Sequence, residues 1–261
     1  MILQASQQLN FIPQRIVSLV PSQTELLHYF NLELETVGIT KFCLHPKEWY
    51  RTKVRVGGTK TVNLSTIKKL NPDLIIANKE ENVKEQIEEL ANHFNVLVTD
   101  VNNFEDALLM IKNIGALTGK STQAISLIEK INTEFEKIIL PHAPIKTAYL
   151  IWNKPYMTIG GDTFINDILL KGGFQNIFAN ETRYPEITVD QLKTKNCELV
   201  LLSSEPYPFK QKHVDELQLQ LPGVKIMLAD GEMFSWYGSR MLYVPEYLKS
   251  VSREWSMENT E

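Results

Sequence analysis

Across residues 121–142, apolar side chains recur at Ala124, Leu127, Ile128, Ile131, Phe135, Ile138 and Ile139. That spacing lays one greasy stripe along a helix. Ser121, just after Gly119, is placed to cap its start, and Pro141 and Pro144 stop it. At ~1.5 Å per residue the helix would span about 30 Å, roughly the width of a small domain. Elsewhere the pattern shortens to continuous apolar runs the size of strands, at 15–20, 37–39, 73–77, 96–99, 148–152 and 225–229. Between them lie amphipathic stretches predicted as helices at 24–30, 64–70, 82–92, 104–117, 164–170, 214–219 and 239–252. Ser22 or Thr24 is expected to cap the first of these, with Glu25 at its positive end. Residues 40–61 read as irregular. Continuously apolar strands alternating with helices predict a mainly parallel sheet covered on both faces.

The chain also repeats. Residues 63–78 read NLSTIKKLNPDLIIAN and residues 188–203 read TVDQLKTKNCELVLLS. Ile67 aligns with Leu192, Lys68 with Lys193, Asn71 with Asn196, Asp73 with Glu198 and Leu74 with Leu199. Each segment is a short helix, a polar turn and an apolar strand. The opening strands RIVSLV (from Arg15) and KTAYLI (from Lys146) correspond loosely. The expected fold is therefore α/β: two Rossmann-like parallel-sheet lobes joined by one long backbone helix, with a ligand cleft between them. The expected boundaries are 1–120 for the N-terminal lobe, 121–142 for the connecting helix and 143–261 for the C-terminal lobe.

Length allows each lobe its own core, and 43% apolar with 22% charged residues describes an ordinary globular composition. A net charge of −4 with no basic run argues against a nucleic-acid partner. Cys43 and Cys197 form no metal or redox pattern and are expected as buried thiols. Residues 1–14 lack a basic start, a long apolar core and a cleavage site. As written, the chain is expected in the cytoplasm; with a leader removed, it would be periplasmic or surface-anchored.

In open parallel sheets, ligands collect beyond the carboxyl ends of the strands. The first lobe offers Ser22, Phe42, His45, Trp49, Asn78, Lys79 and Glu80 there. The second offers Trp152, Tyr156, Met157, Arg183, Tyr184, Glu205, Tyr207, Phe234, Trp236, Tyr237 and Arg240. Rings interleaved with cations suit a large, flat or conjugated ligand carrying negative charge, although many loop aromatics only pack their loops. No nucleotide-binding glycine loop, G-x-S-x-G or H-E-x-x-H is present, and no enzyme is expected. The Glu80-Glu81 pair reads as helix-dipole partners. Of five histidines, His28 falls within a helix, His142 at a helix end, and His93 and His213 in polar contexts. Only His45 stands in a cleft loop. It could join Glu205 or Cys43 in a metal site, or serve as the axial ligand of a metal already held in a macrocycle.

Taken together, RIVSLVPSQTE (from Arg15), VGI (from Val37), His45-Pro46, VGG (from Val56) and the N-L-x-x-I-x-x-L-x-P-D-L-I-I run (from Asn63) carry a family resemblance. GGD (from Gly160), GGFQNIF (from Gly172), the 188–202 segment and GSR (from Gly238) extend it over nearly the whole chain. It resembles the helical-backbone (class III) substrate-binding proteins of ABC importers for cobalamin, ferric siderophores and haem. The resemblance implies two lobes bridged by a helix, little hinge closure, and a ligand held between loop aromatics. Its cobalamin branch is nearest through the His-Pro loop and the region of Trp152 and Phe234, with Met233 standing where an aromatic is expected. The family docks on its permease through one acidic residue per lobe. The matching positions are Ser65 and Asp190, so one charge is missing and docking to a permease is expected to be weak.

The expected function is non-catalytic capture, by a monomer, of a metal chelate: cobalamin first, haem or a ferric siderophore second, with no catalytic cofactor. Phe42, Trp49, Trp152, Tyr156, Tyr184, Phe234, Trp236 and Tyr237 would supply ring contacts. Arg183 and Arg240 would neutralise phosphate, carboxylate or catecholate charge, and Lys79 and His45 complete the expected ligand-binding set. Two other readings remain: a direct transition-metal-ion receptor, or an intracellular protein or enzyme handling corrinoids or tetrapyrroles.

Overall fold

The computed structural model describes residues 1–3 and 9–257, and the chain divides into two compact units. The first comprises 1–101, 105–131 and 237–240; the second comprises 102–104, 132–236 and the residues from 241 onward. In the first unit the chain runs β1 (Ile2–Leu3), β2 (Ile16–Ser18), α1 (Pro21–Tyr29), β3 (Thr36–Ile39), α2 (Lys47–Thr52), β4 (Val54–Arg55), α3 (Leu64–Leu70), β5 (Leu74–Asn78), α4 (Lys84–Ala91) and β6 (Val96–Thr99). Helix α5 (Phe104–Leu117) follows, and α6 (Ser121–Glu136) carries the chain across the boundary.

The first sheet has the order β1-β6-β5-β2-β3-β4 and every pairing in it is parallel. Val17, Ile75, Ala77 and Val96 of its strands meet Ile67, Ile87 and Leu90 of its helices in one buried cluster. The second unit contains β7 (Ile145–Leu150), β8 (Tyr156–Met157), α7 (Phe164–Lys171), β9 (Phe174–Asn176), β10 (Glu186–Ile187), α8 (Val189–Thr194), β11 (Leu199–Ser203), α9 (Gln211–Gln218), β12 (Lys225–Ala229), α10 (Gly231–Ser235) and α11 (Val244–Met257). Its main sheet, ordered β12-β11-β7-β9, is again parallel throughout, and β8 and β10 form a separate antiparallel pair. Both β5 and β11 are buried along their whole length, as a parallel strand covered on two faces must be.

The two units share their local bonding. Asp73 takes the backbone N–H of Arg15 on its carboxylate at 3.0 Å, and its own N–H donates to the Arg15 carbonyl at 2.9 Å. Glu198 does the same with Lys146, at 2.8 Å in both directions. The aligned residues Asn71 and Asn196 both adopt left-handed backbone, φ 43° and 53°, after their helices. Asn63 and Thr188 cap α3 and α8 through their side chains. Equivalent residues thus do equivalent work at aligned positions.

Three expectations need correction. The connecting helix stops at Glu136 after 16 residues, short of residue 142. The N–H groups of Lys137 and Ile138 turn back to Glu134 and Phe135, and Ile139 at the end of the stripe lies exposed. Phe135 instead meets Phe104 edge-on at 4.7 Å. The first helix begins at Pro21 with Val20 as an uncapped N-cap, because Thr24 bonds back to Ser18 and the Val20 carbonyl. Residues 40–61 are not wholly irregular, since they hold α2 and β4. Among the described residues no helix is long and apolar enough to cross a membrane.

Candidate ligand-binding site

In the second unit the strand order reverses direction between β7 and β11, and the crevice beyond their carboxyl ends is where an open α/β sheet takes a ligand. Strand β7 runs into Ile151 and Trp152. The Ile151 N–H donates to the Met157 carbonyl at 2.9 Å, and the Met157 N–H donates to the Trp152 carbonyl at 3.2 Å. Residues 152–157 are thereby folded into a tight hairpin. It presents the Trp152 ring with 41% of its surface open. From β11 the chain passes Ser203 and Glu205 to Tyr207, whose N–H reaches the Ile151 carbonyl at 3.3 Å. The Tyr207 ring meets Trp152 edge-on at 5.6 Å, Phe209 at 4.8 Å and His213 at 5.5 Å. The tyrosine hydroxyl lies 3.2 Å from His213 Nε2 and 3.3 Å from Asn153 Nδ2. An exposed indole supported by a polar-tipped aromatic stack is a platform for a flat or apolar face.

Behind this platform Glu205 is nearly enclosed. Its Oε1 accepts from Ser235 Oγ at 2.7 Å and from Trp236 Nε1 at 2.9 Å. Burial, the largest influence, raises its carboxyl above the ordinary range; Glu232 and Asp230 add to this and the two hydrogen bonds oppose it. Gly231 is needed beside it, since a Cβ there would stand 2.5 Å from both Glu205 Cγ and Ser203 Oγ. A raised acid binds its proton better folded than unfolded, so stability falls as pH rises from the ordinary carboxyl value through the raised one. Glu205→Gln keeps an acceptor for Trp236 and removes the buried charge. Its melting temperature is expected to exceed the parent's near neutral pH, with the gap closing in acid, as thermal melts across pH would show.

The other expected site residues fall into two groups. Some face solvent or stand partly open. Phe42 is 50% exposed beside the Lys41 ammonium, 5.1 Å from its ring. His45 and Tyr184 are half-buried, and Tyr156 sits in β8 against the second unit's core, where burial raises its phenol. Arg183 lines a polar cavity of about 430 Å³ with Asn102, Asp162, Asn166 and Asp167. Its guanidinium donates to Asn102 at 3.1 Å and its N–H to Asp162 at 2.6 Å. Lys79 pairs with Asp100 at 2.6 Å.

The second group packs the interior and corrects the sequence expectation. Trp49 is 1% exposed, with its ring against His28 at 5.4 Å and the Lys53 ammonium at 5.4 Å. Phe234 is fully buried between Tyr149 and Tyr247, at 4.9 and 5.8 Å. Trp236 and Tyr237 are buried as well. Arg240 is spent on a two-point pair with Glu25, Nε to Oε2 at 3.0 Å and Nη2 to Oε1 at 2.8 Å, which also takes Glu25 from its expected helix-end role. Arg240→Met is therefore expected to lower stability by about 3 kcal/mol, by stranding the Glu25 carboxylate, and to leave ligand affinity unchanged. Denaturant unfolding and binding titration check the two halves.

Sequence reading overlooked His213 and Asn153. His213 is buried rather than surface-polar. It is the third residue of α9, and its Nδ1 accepts the N–H of the helix N-cap Lys210 at 2.9 Å. An acceptor at that helical position, six residues after a tyrosine, was the available signal. For metal binding, Cys43 is enclosed with its thiol raised by burial and held by Thr24 and Thr40, while Glu205 is committed as above. Cys197 is likewise a buried free thiol. Among the described residues no group of three His, Cys, Asp or Glu side chains gathers to hold an ion.

Residues 16–229 match the model of a family described as periplasmic binding protein. The vitamin B12-binding protein of Pectobacterium atrosepticum is 23% identical over 258 residues, covering 93% of this chain and 90% of that protein. A Bacillus subtilis ABC transporter substrate-binding lipoprotein is 26% identical over 72% of this chain and 63% of its own length. Among solved structures, a possible iron-binding, periplasmic solute-binding protein of Staphylococcus epidermidis superposes with a TM-score of 0.78 at 22% identity, covering 94% of this chain and 99% of that one. The periplasmic vitamin B12-binding protein of Vibrio cholerae superposes with a TM-score of 0.74 at 20% identity, covering 94% and 98%.

Proposed function

The chain belongs to the periplasmic binding protein family, and from that premise we propose that it is a non-catalytic receptor for a preassembled metal chelate of the cobalamin, haem or ferric-siderophore kind. The observation that carries this reading is the half-open Trp152 ring, braced by Tyr207 where strand order reverses between β7 and β11. A chelate already satisfies its metal, so the receptor needs ring surface and hydrogen bonds rather than a full donor set. The names of relatives agree: vitamin B12 in one case and iron in another. Within the same unit Tyr156 and Tyr184 add partly open rings, and Arg183 adds a cation for ligand carboxylate or phosphate. The first unit, taken by itself, offers His45 as the proposed axial ligand to a macrocycle-held metal, with Phe42 as a nearby open ring in the chain, so His45→Ala is expected to shift the absorption bands of a bound haem or corrinoid.

The test is absorbance-monitored titration with cyanocobalamin, haemin and a ferric siderophore in parallel. Saturation at one equivalent, with the chelate recovered unchanged, is the expected result; conversion of the chelate to a new compound would replace the receptor reading with an enzymatic one.

Delivery to a permease is assigned to Asp190, 88% exposed in the first turn of α8, and to Ser65 at the aligned place in α3. Ser65 Oγ donates to its helix cap, Asn63, and brings no charge. Ser65→Glu is expected to strengthen capture by a permease reconstituted in vesicles, and Asp190→Arg to weaken it.

A further inference from the structure

We propose that Tyr207 is a specificity-determining residue of this receptor, a forced hydrogen-bond donor that selects chelates carrying an oxygen acceptor on their rim beside the face that covers Trp152. The inference rests on the reading above and adds to it which edge chemistry the site accepts. It follows from the bonding around one hydroxyl. The backbone N–H of Lys210 donates to His213 Nδ1 at 2.9 Å, so that nitrogen holds a lone pair and the ring proton sits on Nε2. His213 Nε2 then donates to the Tyr207 oxygen at 3.2 Å, and Asn153 Nδ2 donates to the same oxygen at 3.3 Å. Both lone pairs of the phenol are used as acceptors.

Its own proton must go elsewhere, and among the described residues it meets no third partner. The hydroxyl contacts Asn153, the residue that follows the half-open Trp152 in the hairpin, and its proton is taken to point to that side. A chelate whose apolar face covers Trp152 would bring its peripheral groups to this hydroxyl. A ligand acceptor, whether amide carbonyl, hydroxamate oxygen or carboxylate, completes the set; a donor there would face three hydrogens on one oxygen. His213 acts through Tyr207 as a positioning residue, its tautomer fixed by the cap of α9.

The experiment titrates the full chain and three variants, Tyr207→Phe, Asn153→Asp and the double variant, with cyanocobalamin (neutral rim amides) and haemin (rim carboxylates). Tyr207→Phe keeps the ring and should weaken cyanocobalamin about fivefold and haemin about tenfold or more, the difference between a neutral and a charge-assisted bond. Asn153→Asp gives the phenol proton an internal acceptor and should weaken binding to a similar extent. In the double variant that second loss should vanish, since the donor is already gone. Wild-type affinity in Tyr207→Phe would overturn the inference and leave the receptor reading standing. A loss from Asn153→Asp that persists in the Tyr207→Phe background would also overturn it, by assigning the effect to added charge. Failure of the wild-type protein to bind either probe or a ferric hydroxamate would instead remove the receptor reading on which the inference stands.

Discussion

Trp152→Ala is expected to weaken chelate binding about 30-fold or more while moving the melting temperature by no more than about 2 °C. A tryptophan buries roughly 150–250 Å² when covered, and at about 25 cal/mol per Å² even the 41% now open represents about 2 kcal/mol that only a ligand can recover. The ring is held out by the 152–157 hairpin and by Tyr207, so little of it stabilises the free protein. Parallel binding titration and thermal melts separate the two effects. An unchanged affinity would remove the platform from the site, whatever the protein binds.

Phe234→Ala is expected to do the reverse. Its ring is fully enclosed by Tyr149 and Tyr247, and truncation leaves a cavity as well as losing transfer energy, together about 3–5 kcal/mol. The melting temperature should fall by about 10 °C, and whatever protein remains folded should bind with the parent's affinity. A stable Phe234→Ala protein that has lost its ligand would place that ring in the site after all.

The contrast between Trp152 and Phe234 marks the limit of sequence reading here. The parallel strands and the duplication were legible because burial on both faces writes a continuous apolar run, as in β5 and β11, and because Asp73 and Glu198 hold aligned places. The two-residue strands β1, β8 and β10 and the short helices α2 and α10 were not, being too short for either period to register. Position after a strand made Trp49, Trp152, Phe234 and Trp236 look alike. Only neighbours distant in sequence decide which way such a ring turns: His28 covers Trp49, Tyr149 covers Phe234, and Glu205 draws in Trp236. Arg240 was misread for the same reason, since nothing in its local sequence announces Glu25.

The claim at the centre is that a finished chelate, not a bare ion, is what the protein holds. It is tested most directly by the melting temperature with cyanocobalamin, haemin or a ferric siderophore at about 100 times its Kd, beside the same protein given Zn²⁺, Mn²⁺ or Fe³⁺ alone. At that ratio a ligand binding only the folded chain adds about 2.7 kcal/mol, so at least one chelate should raise the melting temperature by roughly 5–10 °C and the free ions should leave it unchanged. A rise with a free ion that EDTA reverses, with no response to any chelate, would contradict the account.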